Sequence, residues 1–189
     1  RELNFEVEED IIQLETGVIS ANKNETNRME APVVVHVMTP KLFENTNSVC
    51  LAQGLSFQPG LRVETNCQNC GFQQVRINGL DGPYTQLLLD GKALFSSLNG
   101  VYGIEQIPAG MIERVEVMRG GGSALYGANA IGGTVNIITK EPLNNLFMIS
   151  HNLIAIGNSA YDNTTSLNAS LINGQRNAGL YIFGTSRHR

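Results

Sequence analysis

The chain has 189 residues, with 13 Lys and Arg against 17 Asp and Glu for a net charge of -4, and 3 cysteines. That balance leaves no basic footprint for nucleic acid, and no run of about 18 apolar residues offers a transmembrane helix. Membrane-spanning β-strands carry a far weaker signal and stay open.

The chain opens on Arg1 rather than Met, with no charged-then-apolar leader, and reads as a mature or trimmed segment. Arg1 to Arg28 is polar and rich in Glu and Asn, interrupted by Val18-Ile19, the pattern of a mobile leader. Val33 to Met38 is short and β-branched, a buried strand. Thr39-Pro40 predicts an N-cap followed by proline in the first turn of a short helix. A second helix is expected over Ser48 to Gln58, stopped by Pro59-Gly60. Glu64 to Gly71 reads as a loop carrying Cys67-Gln-Asn-Cys70. Gln74 to Leu80 alternates, placing Val75 and Ile77 on one face and Arg76 and Asn78 on the other. Asp81-Gly82-Pro83 turns the chain into Leu87-Leu88-Leu89, a strand buried on both faces, and Asp90-Gly91 closes it with turn chemistry.

Ala93 to Gly103 is expected as a loop, with Phe95, Leu98 and Tyr102 among serines and glycines. Ile112 to Met118 alternates, with Ile112, Arg114, Glu116 and Met118 against Glu113, Val115 and Val117. Gly120 to Gly122 follows, and Gly132-Gly133 precedes a strand from Val135 to Thr139. These pieces make a small α+β unit ending near Pro142. Beyond it, Leu146 to Ile156, Thr164 to Ile172 and Gly179 to Ser186 have barrel-strand length, parted by Gly157-Asn158 and the hairpin signal Asn173-Gly174. Thr165, Leu167, Ala169 and Leu171 share one face, and Ser166, Asn168 and Ser170 the other, as a lipid-facing wall requires. A soluble antiparallel sheet shows the same alternation and, on periodicity alone, is the better reading.

The glycine clusters lack the Gly-Lys-Ser/Thr ending of a phosphate loop and the βαβ context of a dinucleotide site. His36, His151 and His188 sit on separate elements, with no nucleophile elbow and no metal-ligand spacing. Glu113 and Glu116 are explained by a solvated face or an ion pair. No catalytic group, metal or cofactor is expected. Cys67 and Cys70 admit three readings: a small-loop disulfide, a redox centre, or half a metal site. A redox centre wants a thioredoxin-like context and zinc a second ligand pair, both missing. A structural disulfide is the default in an oxidising compartment, with Cys67–Cys70 the simplest pairing and Cys50 with either partner open.

The stretch from Ile112 to Pro142 is more specific. Val117-Met-Arg119-Gly120, Ser123-Ala-Leu125-Tyr126-Gly127, Ala130-Ile-Gly132-Gly133 and Asn136-Ile-Ile-Thr139 closely resemble the end of the plug in TonB-dependent outer-membrane receptors. Upstream, Leu87 to Gly91, Ile107-Pro108 and Leu55 to Gly60 are similar to further segments of that plug, and Glu15 to Lys23 resembles the Ton box of cobalamin receptors. Two positions depart from the pattern: Asn78 stands where the family usually has arginine before the glycine, and Gly121 where it has proline.

The resemblance implies a mixed-sheet plug with short helices, followed by the first antiparallel strands of a transmembrane β-barrel. It divides the chain into a Ton-box segment (1–28), a plug (29–142) and barrel strands (143–189). Walls of about 22 strands enclose such plugs, so three runs imply a piece of a larger protein. Gln68, Asn69, Phe95, Ser96, Asn99 and Tyr102 would face a small nutrient ligand, with Cys67–Cys70 stiffening the first loop. Glu15, Thr16, Gly17, Val18, Ile19, Ser20 and Ala21 would bind the TonB protein. Arg119, with Arg76 standing in for the arginine missing at Asn78, would latch plug to barrel. The expected function is import of cobalamin, haem or a ferric siderophore across the outer membrane on TonB-transmitted energy. A soluble periplasmic or cell-surface β-rich interaction domain is the competing reading, and a thiol–disulfide module at Cys67 and Cys70 a further one.

Overall fold

In the computed structural model the described residues are 18–19, 26–27, 34–67, 72–94, 103–120, 123–157, 160–175 and 177–188. Two short strands, β1 (Val18–Ile19) and β2 (Thr26–Asn27), pair antiparallel. The β-branched run then forms β3 (Val35–Met38). Thr39 is extended and Pro40 begins α1 (Pro40–Asn45), the placement at which proline loses no helical hydrogen bond. The second helix, α2 (Leu51–Leu55), is shorter than the apolar pattern over Ser48 to Gln58 implied. Cys50 is extended and bridged to Pro108, which delays the start. At the other end, Ser56, Phe57 and Gln58 bond three residues back, so the chain tightens into turns instead of continuing as α-helix.

The chain next makes a hairpin of β4 (Leu61–Cys67) and β5 (Phe72–Ile77). The loop expected from Glu64 is therefore strand as far as Cys67, because Glu64 and Thr65 pair with Gln74 and Gln73. Val75 and Ile77 are buried as the alternation required, whereas Asn78 leaves the strand with φ 52° and joins the turn. After a 3-10 turn (Gly82–Tyr84) come β6 (Thr85–Leu89) and β7 (Lys92–Ala93), joined at Asp90 and Gly91 with φ of 48° and 76°. Positive φ at both positions is the hairpin geometry that Asp-Gly supplies. The Asp90 carboxylate also accepts from the Thr139 backbone N–H and hydroxyl, each at 2.9 Å, and so ties this turn to a distant strand end.

A second 3-10 turn (Ala109–Met111) leads into β8 (Ile112–Arg119). Strict alternation fails at its start: a register shift between Ile112 and Arg114 leaves Glu113 exposed and turns Ile112 inward beside Val115 and Val117. A bulge of this kind re-aims one side chain without ending the strand. Then follow α3 (Ser123–Tyr126), a 3-10 turn (Ala128–Ala130) and β9 (Gly133–Thr139). The resulting sheet has the order β3-β8-β9-β6-β7, antiparallel throughout except for the parallel β6–β9 pair. One face of it buries Val115, Val117, Val135 and Ile137 against Leu51 and Leu55 of α2 and against Val75 and Ile77 of the hairpin. Each such large side chain contributes about 1.5–3 kcal/mol by leaving water.

The remaining chain forms an antiparallel sheet of β10 (Leu146–Ile156), β11 (Ala160–Ile172) and β12 (Gly179–His188). Its register places Phe147, Ile149 and Leu153 with Leu167, Leu171, Leu180 and Ile182 on one face, and all are exposed. The other face carries Asn152, Asp162, Asn168, Ser170, Tyr181 and Arg187 and lies toward the mixed-sheet unit. A soluble sheet would be expected to cover its apolar face and wet its polar one, the reverse of this arrangement. The fold is thus α+β, a mixed sheet with short helices continuing into antiparallel strands of barrel type.

Candidate functional site

Several residues singled out from the sequence fall outside the described residues: Gln68, Asn69, Cys70, Phe95, Ser96, Asn99, Tyr102, and Glu15, Thr16, Gly17, Ser20 and Ala21. The first candidate ligand loop leaves the tip of the β4–β5 hairpin, after Cys67, and the second follows β7, after Leu94. Val18 and Ile19 are extended, paired with Asn27 and Thr26. Cys50 is a free, buried thiol, so neither partner proposed for it holds. Burial pushes its pKa up against the smaller lowering effects of a backbone hydrogen bond and of Arg187.

The two candidate latch arginines stand in different settings. Arg76 already has plug carboxylates on both sides: its Nε lies 2.7 Å from Glu64 Oε2, and its Nη2 lies 3.0 Å from Asp81 Oδ1. The Nε–H is not aimed at the Glu64 oxygen, which makes that contact an ion pair rather than a directed hydrogen bond. Arg119, at the end of β8, crosses to the turn after α2 and donates from Nη2 to the carbonyl of Pro59. Gly60 beside it has φ 78°, and a Cβ there would lie 2.8 Å from Arg119 Cζ. The Arg119 Nε is buried without a partner among the described residues.

On the second face of the mixed sheet a charged layer is enclosed. Glu116 is only 3% exposed, and Arg114 Nε donates to its Oε1 at 2.9 Å. Asn136, on the neighbouring strand, accepts from the Gly91 N–H at 2.9 Å. Tyr126 of α3 packs, as Val37 does, against the cluster of Val35 and Met118 over the same face. Its phenol pKa is raised, chiefly by burial and then by the Glu116 carboxylate. The Leu-Tyr-Gly segment thus closes a polar layer that a bare strand pattern would have left wet.

The mixed-sheet unit meets the polar face of β10–β12 along a seam whose partners the sequence did not reveal. Tyr181 Oη donates to the Gly110 carbonyl at 3.0 Å, and Asn152 Nδ2 to the Asn47 carbonyl at 3.3 Å. Between the two units is a cavity of about 170 Å³, lined by Glu113, Lys140 and Glu141 on one side and by Met148, Asn168, Ser170 and Tyr181 on the other. Alternation grouped Asn168 and Ser170 on one face, but nothing local to Asn168 names Gly110 as what it meets. Among the described residues no group of His, Cys, Asp and Glu could hold a metal ion. The arrangement is one of docking and enclosure.

Comparison with known proteins gives these features a context. The family model described as TonB-dependent Receptor Plug Domain matches residues 27–134. The vitamin B12 transporter BtuB of Vibrio vulnificus (strain CMCP6) is 34% identical over 127 residues, which is 67% of this chain and 21% of that protein. Among solved structures, the siderophore receptor PirA from Acinetobacter baumannii aligns with TM-score 0.65 at 25% identity, over 81% of this chain and 24% of that one. The ferric enterobactin receptor of Pseudomonas aeruginosa aligns with TM-score 0.64 at 27% identity, over 84% and 25%. The ferripyoverdine receptor of the same organism's outer membrane, at 20% identity and TM-score 0.70, shares the fold. The chain therefore spans 21% of the length of the transporter it matches.

Proposed function

Because the chain belongs to the TonB-dependent receptor plug domain family, we propose that it supplies the plug and first wall strands of an outer-membrane receptor that imports a scarce nutrient. The observation that carries this reading is the inverted sheet: β10–β12 turns its polar face to the plug and leaves its apolar face open. A cylinder wall with lipid outside and a filled lumen requires that polarity. Phe147 and Tyr161, near opposite ends of the open face, suit the two interfacial aromatic girdles of such walls.

The nutrient belongs to the class of cobalamin, haem or a ferric siderophore, held by Gln68, Asn69, Phe95, Ser96, Asn99 and Tyr102, with Cys67–Cys70 stiffening the first loop. Arg119, at the end of β8, is the latch that pairs with carboxylates of the barrel wall. Arg76, flanked by Glu64 and Asp81, braces the hairpin within the plug and serves the latch less directly. Residues 15–21 bind the TonB protein by strand addition, using the backbone edge that the pairing of Val18–Ile19 with Thr26–Asn27 does not take or exchanging that pairing for it. The receptor acts by capture and movement and catalyses no reaction.

The test uses the full-length receptor. Cobalamin, haem and ferric siderophores are assayed for binding and for uptake, with and without deletion of residues 15–23. Binding retained and uptake abolished is the expected result, and undiminished uptake by the deletion variant sinks the Ton-box assignment.

A further inference from the structure

Each of the three wall strands sets one uncharged polar side chain against plug backbone. Asn152 of β10 reaches Asn47, and Tyr181 of β12 reaches Gly110. Asn168 of β11 lies so close over Gly110 that a Cβ there would be 2.8 Å from its Nδ2 and 2.9 Å from its Oδ1. Gly110 is no loose loop residue. Its flanking neighbours are fixed into the core: Ala109 N–H bonds to Val49 O at 3.0 Å, and Lys140 N–H to Met111 O at 2.9 Å. The turn is thereby joined to the approach to α2, to the start of β8 and to the end of β9.

The Arg187 guanidinium on the inner face of the wall is paired with Asp162 of the wall and also interacts electrostatically with Cys50 and Glu105 of the plug. Arg187 Nε donates to Asp162 Oδ1 at 2.9 Å, both within the wall. Water can also reach the seam. The adjoining cavity of about 170 Å³ has polar groups in its lining and is roomy enough for several waters. It includes Ser170, 5% exposed, whose Oγ has no partner among the described residues. Neutral hydrogen bonds with water at hand are individually modest and exchangeable.

We propose that Gly110 is the docking point of the plug on the wall, with Asn168 and Tyr181 as positioning residues. The inference rests on the reading of the chain as plug and wall of one receptor. It adds to that reading which residues set their register.

Hydrogen exchange on the full-length receptor in detergent micelles provides the test, read at the amides of Ala109, Met111 and Lys140 and, as a reference, at Val115 and Val117. Tyr181→Phe removes one hydroxyl, and Asn168→Ala removes the cover over Gly110. Each is expected to speed exchange at the three seam amides by roughly 2- to 10-fold, with the reference amides unchanged. Unchanged seam exchange in both variants overturns the docking point. Faster exchange at the reference amides as well also overturns it, since the residues would then support the whole fold rather than one contact. A full-length chain that fails to fractionate with the outer membrane overturns the receptor reading and this inference together, whereas a membrane-inserted receptor with unaltered seam exchange removes this inference alone.

Discussion

Arg119 and Gly60 are locked together across the plug: the guanidinium lies directly over the glycine Cα, and its Nη2 donates to the carbonyl of Pro59 next door. The glycine is required by its φ of 78°, and a Cβ there would also push the guanidinium, the far end of a flexible side chain, aside. Its own carbonyl accepts from the Asn78 N–H at 3.0 Å, so the turn after α2 and the turn after β5 share this point.

Gly60→Ala is therefore expected to destabilise the plug, with about 1–2 kcal/mol from the left-handed backbone alone and a steric part added by Arg119. Arg119→Ala removes the steric part and keeps the backbone part. In a double-mutant cycle followed by urea unfolding, the double variant should cost less than the sum of the single ones. Strict additivity would show that the two groups are not in contact.

Cys50 gives a pH-dependent prediction. Its thiol is buried at the start of α2 and its pKa is raised, mainly by burial. A raised folded value means that its contribution to stability is fully present below the unfolded thiol pKa of about 8.5 and is lost as pH rises from there through the folded value. Cys50→Ala deletes this term, so the stability difference between parent and variant should narrow above about pH 8.5. With Cys67 and Cys70 changed to Ser, maleimide should label Cys50 at pH 8 only on unfolding. Rapid labelling of the folded chain contradicts the burial.

The parts of this architecture legible in sequence were those fixed by local chemistry. Pro40 opened its helix, Asp90-Gly91 made its hairpin, and β10 has the bounds that its composition suggested. What escaped was set by partners far along the chain. Ile112 changes face because β8 slips its register against β9, and Glu64 and Thr65 are strand because β5 pairs with them. Alternation does not separate a soluble sheet from a membrane wall, since both have period 2, and taken alone it favoured the soluble sheet. Which face is covered is a tertiary fact, and here the covered one is polar. Gly110 was invisible for the same reason, because its role depends on Tyr181, 71 residues away.

That covered polar face makes the membrane reading testable at adjacent residues. Leu167 and Ser166 lie side by side near the middle of β11, Leu167 on the open apolar face and Ser166 on the face turned to the plug, where Thr185 Oγ1 lies 3.4 Å from its Oγ. In a lipid-facing wall, Leu167→Arg should cost about 2–4 kcal/mol if the position sits near the bilayer midplane, and should reduce the fraction of full-length receptor assembled in the outer membrane. Ser166→Arg would place its charge toward the lumen, where such groups are tolerated, and should assemble better than Leu167→Arg. In a water-exposed sheet that difference would vanish, because Leu167, already 37% exposed, would accept arginine at little cost. Assembly yields and urea midpoints of the two variants decide the matter, and a Leu167→Arg receptor as stable as its parent would remove the membrane from this account.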